Sequence, residues 1–262
     1  MLVAEEEGRL LAMLGWIEFD ACAGDERVPG GWMTNWLVVP EARGRGLGLA
    51  LVEHAGGTTY DFVGALGANS ATRHVLGGAG FAEVGMHRWV RIFDEEALRE
   101  LVGRDYPSPP ARAPASESSG FVGACRDADF FRWRYREHPR FRYEVVDERA
   151  AYRIETVAGS TAKVARIVDF LGDEALAGRL ADQAERAGAV FADFSCTSAR
   201  AGRPLEAAGF VPDPGLPGRF QPLDFSDRPI VSCFWAAPRL GVDFAAGDLY
   251  VTRADSDLDR PN

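Results

Sequence analysis

Lysine is almost missing from this chain. Of 29 basic residues set against 39 acidic ones, Lys163 alone is a lysine, and the formal charge is −10. That balance excludes a protein that coats nucleic acid, because gripping phosphate backbones needs a basic face. Long apolar runs are missing too: none approaches the roughly 18 to 20 residues of a membrane span. The N-terminal MLVAEEEGRL is acidic where a secretory signal would be basic and then apolar. The expected location is the cytoplasm, with neither nucleic acid nor membrane as a partner. Cysteine is scarce and scattered. Cys22, Cys125, Cys196 and Cys233 form no C-x-x-C pair, and no histidines stand at metal spacing. No metal is expected, and free thiols are the reading that fits a reducing compartment.

What is present is an ordinary globular mixture, 47% apolar and 26% charged over 262 residues. That length suffices for two small domains. One segment interrupts it: YPSPPARAPASESSG, Tyr106 to Gly120, has four prolines in fifteen residues and no apolar periodicity. It reads as an extended linker, dividing a first domain over 1–105 from a second over 121–262.

In the first domain, RLLAMLGWIEF and WMTNWLVV read as strands, with a turn-like DACAGDERVPGG between them. A helix follows from about Gly46 to His54, then a strand over Tyr60 to Ala65. A short helix from Ser70 precedes a hairpin, GFAEVGMHRWVRIF. The second domain repeats the order after a helical DADFFRWRYREHP. It has strands RYEVVD, AAYRIETV and KVARIVDFLG, a helix DEALAGRLADQAERAG, a strand AVFADFSC, a short helix near Arg200 to Ala208, and Gly209-Phe210 in place of Gly80-Phe81. This is an α/β or α+β pattern with a degenerate internal duplication.

The most telling stretch is VVPEARGRGLGLALVEHA, Val38 to Ala55. It sets Gly44, Gly46 and Gly48 at the start of a helix, where each costs stability, about 1 kcal/mol in a helix interior. A helix mouth has unpaired N–H groups and roughly half a positive charge. Glycines let those N–H groups converge on an anion without a Cβ in the way, and Arg43 and Arg45 flank them. Such a mouth suits a diphosphate. It is not a P-loop, since no Gly-Lys-Ser/Thr follows, and no G-x-G-x-x-G is present.

LVVPEARGRGLGLALVEHA together with NSATRHVLGGAGF resembles the GNAT superfamily of acyl-CoA-dependent N-acyltransferases over about fifty residues. The second half, with RWRYREHPRFRYEV, ARIVDFLG, GRFQPLDFSDRPI and DLYVTRADSDLDRPN, looks like two-lobed GNAT-related proteins of bacterial surface-polysaccharide and amino-sugar pathways. The resemblance implies tandem GNAT-like domains with mixed central sheets flanked by helices, and acetyl-CoA as acyl donor. The strand at Leu37, Val38 and Val39 would hydrogen-bond the pantetheine arm, with Leu37 also supplying a donor to the oxyanion. The N–H groups from Arg43 through Gly44, Arg45, Gly46, Leu47 and Gly48 to Leu49 would hold the diphosphate, and Asn69 would touch the cofactor. The acceptor implied is a small-molecule amine, with a nucleotide-linked amino sugar as candidate; oligomeric state stays open, homodimer included.

One position departs from the family pattern. The tyrosine that often protonates the leaving thiolate is Leu76 here, so His74 is the nearby candidate acid. Glu18 and Asp20, at the end of a strand, are the candidate bases. In the second copy Gly172-Asp173-Glu174 puts carboxylates where phosphate would lie, so only the first copy is expected to bind CoA, the second shaping the acceptor pocket. Two alternatives remain: a non-catalytic CoA-binding protein, and a Fem-like aminoacyl or peptidyl transferase. The charge of −10 argues against the latter. Three further features read as structural: the arginine–aromatic segment DFFRWRYREHPRFRY as a docked amphipathic stretch, Asp255, Asp257 and Asp259 as a solvated tail, and Cys196 as a buried thiol.

Overall fold

The computed structural model describes residues 1–56, 59–103, 121–220, 223–224, 230–245 and 247–255. The linker expected over 106–120 lies outside these residues, as do Asp257 and Asp259. In chain order the strands and helices of the first half are β1 (Leu2–Glu6), β2 (Arg9–Ala23), β3 (Glu26–Val38), α1 (Leu47–Gly56), β4 (Phe62–Ala65), α2 (Ser70–Gly78), β5 (Ala82–Gly85), β6 (His87–Ile92) and α3 (Glu95–Val102). The second half contributes β7 (Val122–Ala124), α4 (Ala128–Phe131), β8 (Glu144–Val146), β9 (Ala150–Thr156), β10 (Lys163–Phe170), α5 (Glu174–Arg186), β11 (Ala189–Cys196), α6 (Arg203–Ala207) and β12 (Val211–Pro212). A small pair, β13 (Arg219–Phe220) and β14 (Leu223–Asp224), and a last strand, β15 (Val231–Ala236), complete it.

Two mixed sheets result, in the orders β1-β2-β3-β4-β15-β5 (with β7 on β2) and β12-β6-β11-β10-β9-β8. The chain divides into two compact units, and they interleave in sequence. The first is Met1–Gly85, Ser118–Cys125 and Ile230–Leu249; the second is Met86–Glu117, Arg126–Pro229 and Tyr250–Asn262. The halves therefore exchange a strand. β6 leaves the first half to pair antiparallel with β11, and β15 leaves the second half to pair with β4 and β5. GFAEVGMHRWVRIF is thus not the expected hairpin. Only Met86 separates β5 from β6, and the tightest common hairpin needs two connecting residues.

The two units share local detail. β3-α1-β4 and β10-α5-β11 are both strand–helix–strand units with parallel outer strands. Both short helices end on the same turn: Phe81 N–H donates to Leu76 O and Phe210 N–H to Leu205 O, each at 3.0 Å. The preceding Gly80 and Gly209 take φ of 84° and 86°, a region where only glycine is at ease.

The supposed turn DACAGDERVPGG is strand except at Gly24-Asp25, a two-residue loop with Gly24 at φ 61°. β2 and β3 stay paired through it, from Asp20↔Pro29 to Ala23↔Glu26. At the second unit's centre, Asp193 is buried between Arg88 (2.7 Å) and Arg166 (3.1 Å). Burial pushes its carboxyl up, but the two guanidinium groups hold it well below the usual range. Asp255 is no solvated residue either: it is buried and pairs with Arg126 at 2.5 Å.

Two of the four cysteines are not free. Cys22, near the end of β2, is disulfide-bonded to Cys125, 103 residues on, while Cys196 and Cys233 are buried free thiols. β7 lies beside β2 at this point, and Cys125 N–H donates to Asp20 O at 2.9 Å. Sequence spacing hid the pairing because the strand order creates it. By chain-entropy reasoning a loop of this size contributes roughly 4 to 5 kcal/mol.

Candidate functional site

β3 and β4 are hydrogen-bonded only over Gly30↔Phe62, Gly31↔Val63 and Trp32↔Gly64. β3 then runs on to Val38 while β4 stops at Ala65, so the sheet opens along the second half of β3. A bulge lies in that half. Thr34 pairs with Gly15 and Leu37 with Met13, leaving two residues of β3 opposite Leu14. One of them, Asn35, takes φ 47°. Bulges of this kind re-aim backbone groups and often border active sites.

The bulge settles which backbone groups face the opening. Val39 N–H donates to Leu11 O at 2.9 Å. Alternation along an antiparallel pair then turns the backbone of Leu37 toward β2 as well. Val38 alone of the three faces the open edge, and its carbonyl accepts from Arg43 Nε at 3.3 Å. The expectation for Leu37, Val38 and Val39 narrows to the Val38 N–H, and an oxyanion donor at Leu37 is withdrawn.

Past a 3-10 turn at Pro40–Ala42, the cradle loop reaches α1. Gly44 and Gly46 take φ of 80° and 76°, and a Cβ on either would meet nothing within 4 Å. They are there for conformation, not for space. Gly48 is the reverse: a Cβ would lie 3.0 Å from the ring of Trp36. Arg43 and Arg45 N–H groups turn back onto Pro40 O and Ala42 O at 3.3 Å each. Among the described residues, the N–H groups of Gly44, Gly46, Leu47, Gly48 and Leu49 meet no protein acceptor. This helix mouth is uncapped and exposed.

Its side chains are less free than the backbone. Arg45 is bound to Glu6 and Arg9 to Glu41, and a cavity of about 310 Å³ lies between Glu6, Glu7, Arg9, Leu11, Glu41 and Arg45. Neither Glu6 nor Arg9 carried a sequence signal, because both reach the cradle from a turn more than thirty residues away.

The candidate bases have separate partners. Glu18 accepts from Tyr60 Oη at 2.6 Å, and that ring packs on Trp16 at 4.8 Å. The bond to Glu18, with burial, raises the Tyr60 phenol above its ordinary value, so Tyr60 stays the donor. Asp20 pairs with Arg27 at 3.2 Å. His74 is exposed on α2, whereas Leu76 is fully buried in the core. Asn69 caps α2, its Oδ1 accepting from Thr72 N–H at 2.9 Å.

In the second unit the mouth of α5 is closed by the protein: Asp173 Oδ1 accepts from Leu176 N–H at 2.9 Å.

Two comparisons now bear on this geometry. Residues 1–61, from β1 through α1, match the family model of an acetyltransferase (GNAT) domain. The chain is similar in structure to a GCN5-related N-acetyltransferase from Kribbella flavida, at 16% identity and a TM-score of 0.51 over 88% of this chain and 58% of that one. Another from Anabaena variabilis gives 13%, 0.52, 88% and 61%. The fold is that of the GNAT enzymes. This chain spans only about three fifths of either GNAT relative, and no curated protein matches it in sequence. No described helix is long and apolar enough to cross a membrane, and no described cluster of side chains could hold a metal ion.

Proposed function

We propose that the chain is an acyl-CoA-dependent N-acyltransferase whose donor site is the mouth of α1. The carrying observation is that five N–H groups, of Gly44, Gly46, Leu47, Gly48 and Leu49, stand unclaimed beside the opening of β3 and β4. Aligned donors at a positive dipole end suit a diphosphate. The residues present fit a CoA thioester: these groups would hold its diphosphate and the Val38 N–H would meet the pantetheine arm. The donor supplies an activated acyl carbon. The chain's own contribution is to bind, to orient, and at Glu18 to accept the proton of an incoming ammonium group.

Acetyl is the proposed acyl group and a small-molecule amine the acceptor, with a nucleotide-linked amino sugar first in any panel. The amino-sugar choice rests on the resemblance of the second half alone. A cytoplasmic setting also remains a proposal, and the Cys22–Cys125 bond weighs against a strongly reducing one.

A second reading, CoA binding without turnover, is favoured by Leu76, which is fully buried and has no proton to give. Calorimetry with acetyl-CoA, followed by thiol release over an amine panel, separates the two. Binding with amine-dependent release is the expected result. Binding without release across the panel leaves the second reading, and no binding rejects both.

A further inference from the structure

Arg45 already holds an anion. Its guanidinium grips Glu6 in a two-bonded fork, Nη2 to Oε1 at 2.8 Å and Nη1 to Oε2 at 3.2 Å, the geometry with which arginine takes a phosphate. The Arg9–Glu41 pair runs alongside. Together they tie the turn between β1 and β2 to the segment between β3 and α1, and they wall the 310 Å³ cavity with Glu7 and Leu11. Side chains of Arg45 and Glu6 are 46% and 57% exposed, so water competes for the pair and it exchanges readily.

We propose that Glu6 sets the affinity of the donor site: it is an internal carboxylate that Arg45 gives up when the diphosphate of a CoA thioester arrives. This rests on the reading of the α1 mouth as a diphosphate site. Arg45 stands between Gly44 and Gly46, so its side chain is rooted in the cradle itself, and one fork cannot serve a carboxylate and a phosphate at once. After the exchange Arg9 remains on Glu41. Parting Arg45 from Glu6 is a cost of binding, and it holds affinity below what an unpaired Arg45 would give.

The test is calorimetric titration of the full-length protein with CoA, at low and fixed ionic strength. It compares the wild type, Glu6→Gln, Arg45→Gln, the double variant, and Glu7→Gln as a control that removes the same charge away from Arg45. Glu6→Gln should tighten Kd about two- to five-fold, the range expected for an exposed pair. Arg45→Gln should weaken it about ten-fold, and the double variant should bind no better than Arg45→Gln. If wild type of normal circular dichroism does not bind CoA, the diphosphate reading fails and this inference with it. If wild type binds but Glu6→Gln is equal or weaker, the pair is a structural strap and the exchange is overturned. The exchange is likewise overturned if Glu6→Gln tightens binding by the same factor in the Arg45→Gln background, or if Glu7→Gln tightens it as much as Glu6→Gln does.

Discussion

α1 and α5 occupy the same place in two copies of one strand–helix–strand unit, and they treat their N-terminal N–H groups in opposite ways. At α5 the Asp173 carboxylate takes the Leu176 N–H, which satisfies the helix from within. At α1 three glycines surround the mouth and no side chain fills it. Capping and anion binding draw on the same orphan donors, so a copy that keeps one gives up the other. Two strand–helix–strand units of the same order thus differ in whether the helix mouth is filled by a side chain.

The sharpest way to break this comparison is to make the first mouth resemble the second. Gly46→Asp puts a carboxylate against the free N–H groups and a side chain at φ 76°. CoA affinity should fall by about 100-fold or more, with the circular dichroism spectrum kept; retained affinity in calorimetry would refute the assignment. Next in size is Asp193→Asn in the second unit. It strips Arg88 and Arg166 of their shared buried carboxylate, at a cost of about 3 to 5 kcal/mol in chemical denaturation. CoA affinity measured under native conditions should not follow.

Gly48→Ala should have a smaller effect. The new Cβ would stand 3.0 Å from the Trp36 ring, so the ring must give by a small shift that Trp fluorescence reports, while replacing a helical glycine offsets the crowding by about 1 kcal/mol. The smallest effect is expected from Asp173→Ala, which removes the α5 cap. It should lower Tm slightly and leave CoA affinity unchanged, since uncapping alone supplies neither the glycine loop nor the opened sheet. The Leu176 N–H is the chief cause that holds the Asp173 carboxyl below the ordinary aspartate value. An acid with a depressed folded pKa contributes above its unfolded pKa and loses that contribution as pH falls through the folded value. The Tm gap between wild type and Asp173→Ala should therefore be full near neutrality and close in strongly acidic solution. A gap independent of pH would show that the carboxylate is not the cap.

Much of this is legible in the sequence because it is local. AVFADFSC is β11 residue for residue, and the apolar spacing of Leu176, Leu180 and Ala184 marks the buried face of α5. The glycine turn announces itself by composition. What escapes reading depends on distant partners. No local pattern tells β6 to leave its half of the chain, although the single Met86 between it and β5 is a clue that no hairpin forms there. Asn35, one of the few non-glycine residues that tolerate φ above zero, marks the bulge only once its partner strand is known. Which of Leu37, Val38 and Val39 turns its N–H away from β2 cannot be phased without that bulge. Cys22 and Cys125, and likewise Arg45 and Glu6, meet only through the strand order.

The covalent tie between Cys22 and Cys125 makes everything between those two residues the interior of a ring. A peptide bond hydrolysed anywhere inside that ring, including the proline-rich connection, releases no fragment. The nicked molecule would migrate as one species until a reductant opens the bridge, so the same protease digest run with and without dithiothreitol reports directly which chemical state the pair occupies.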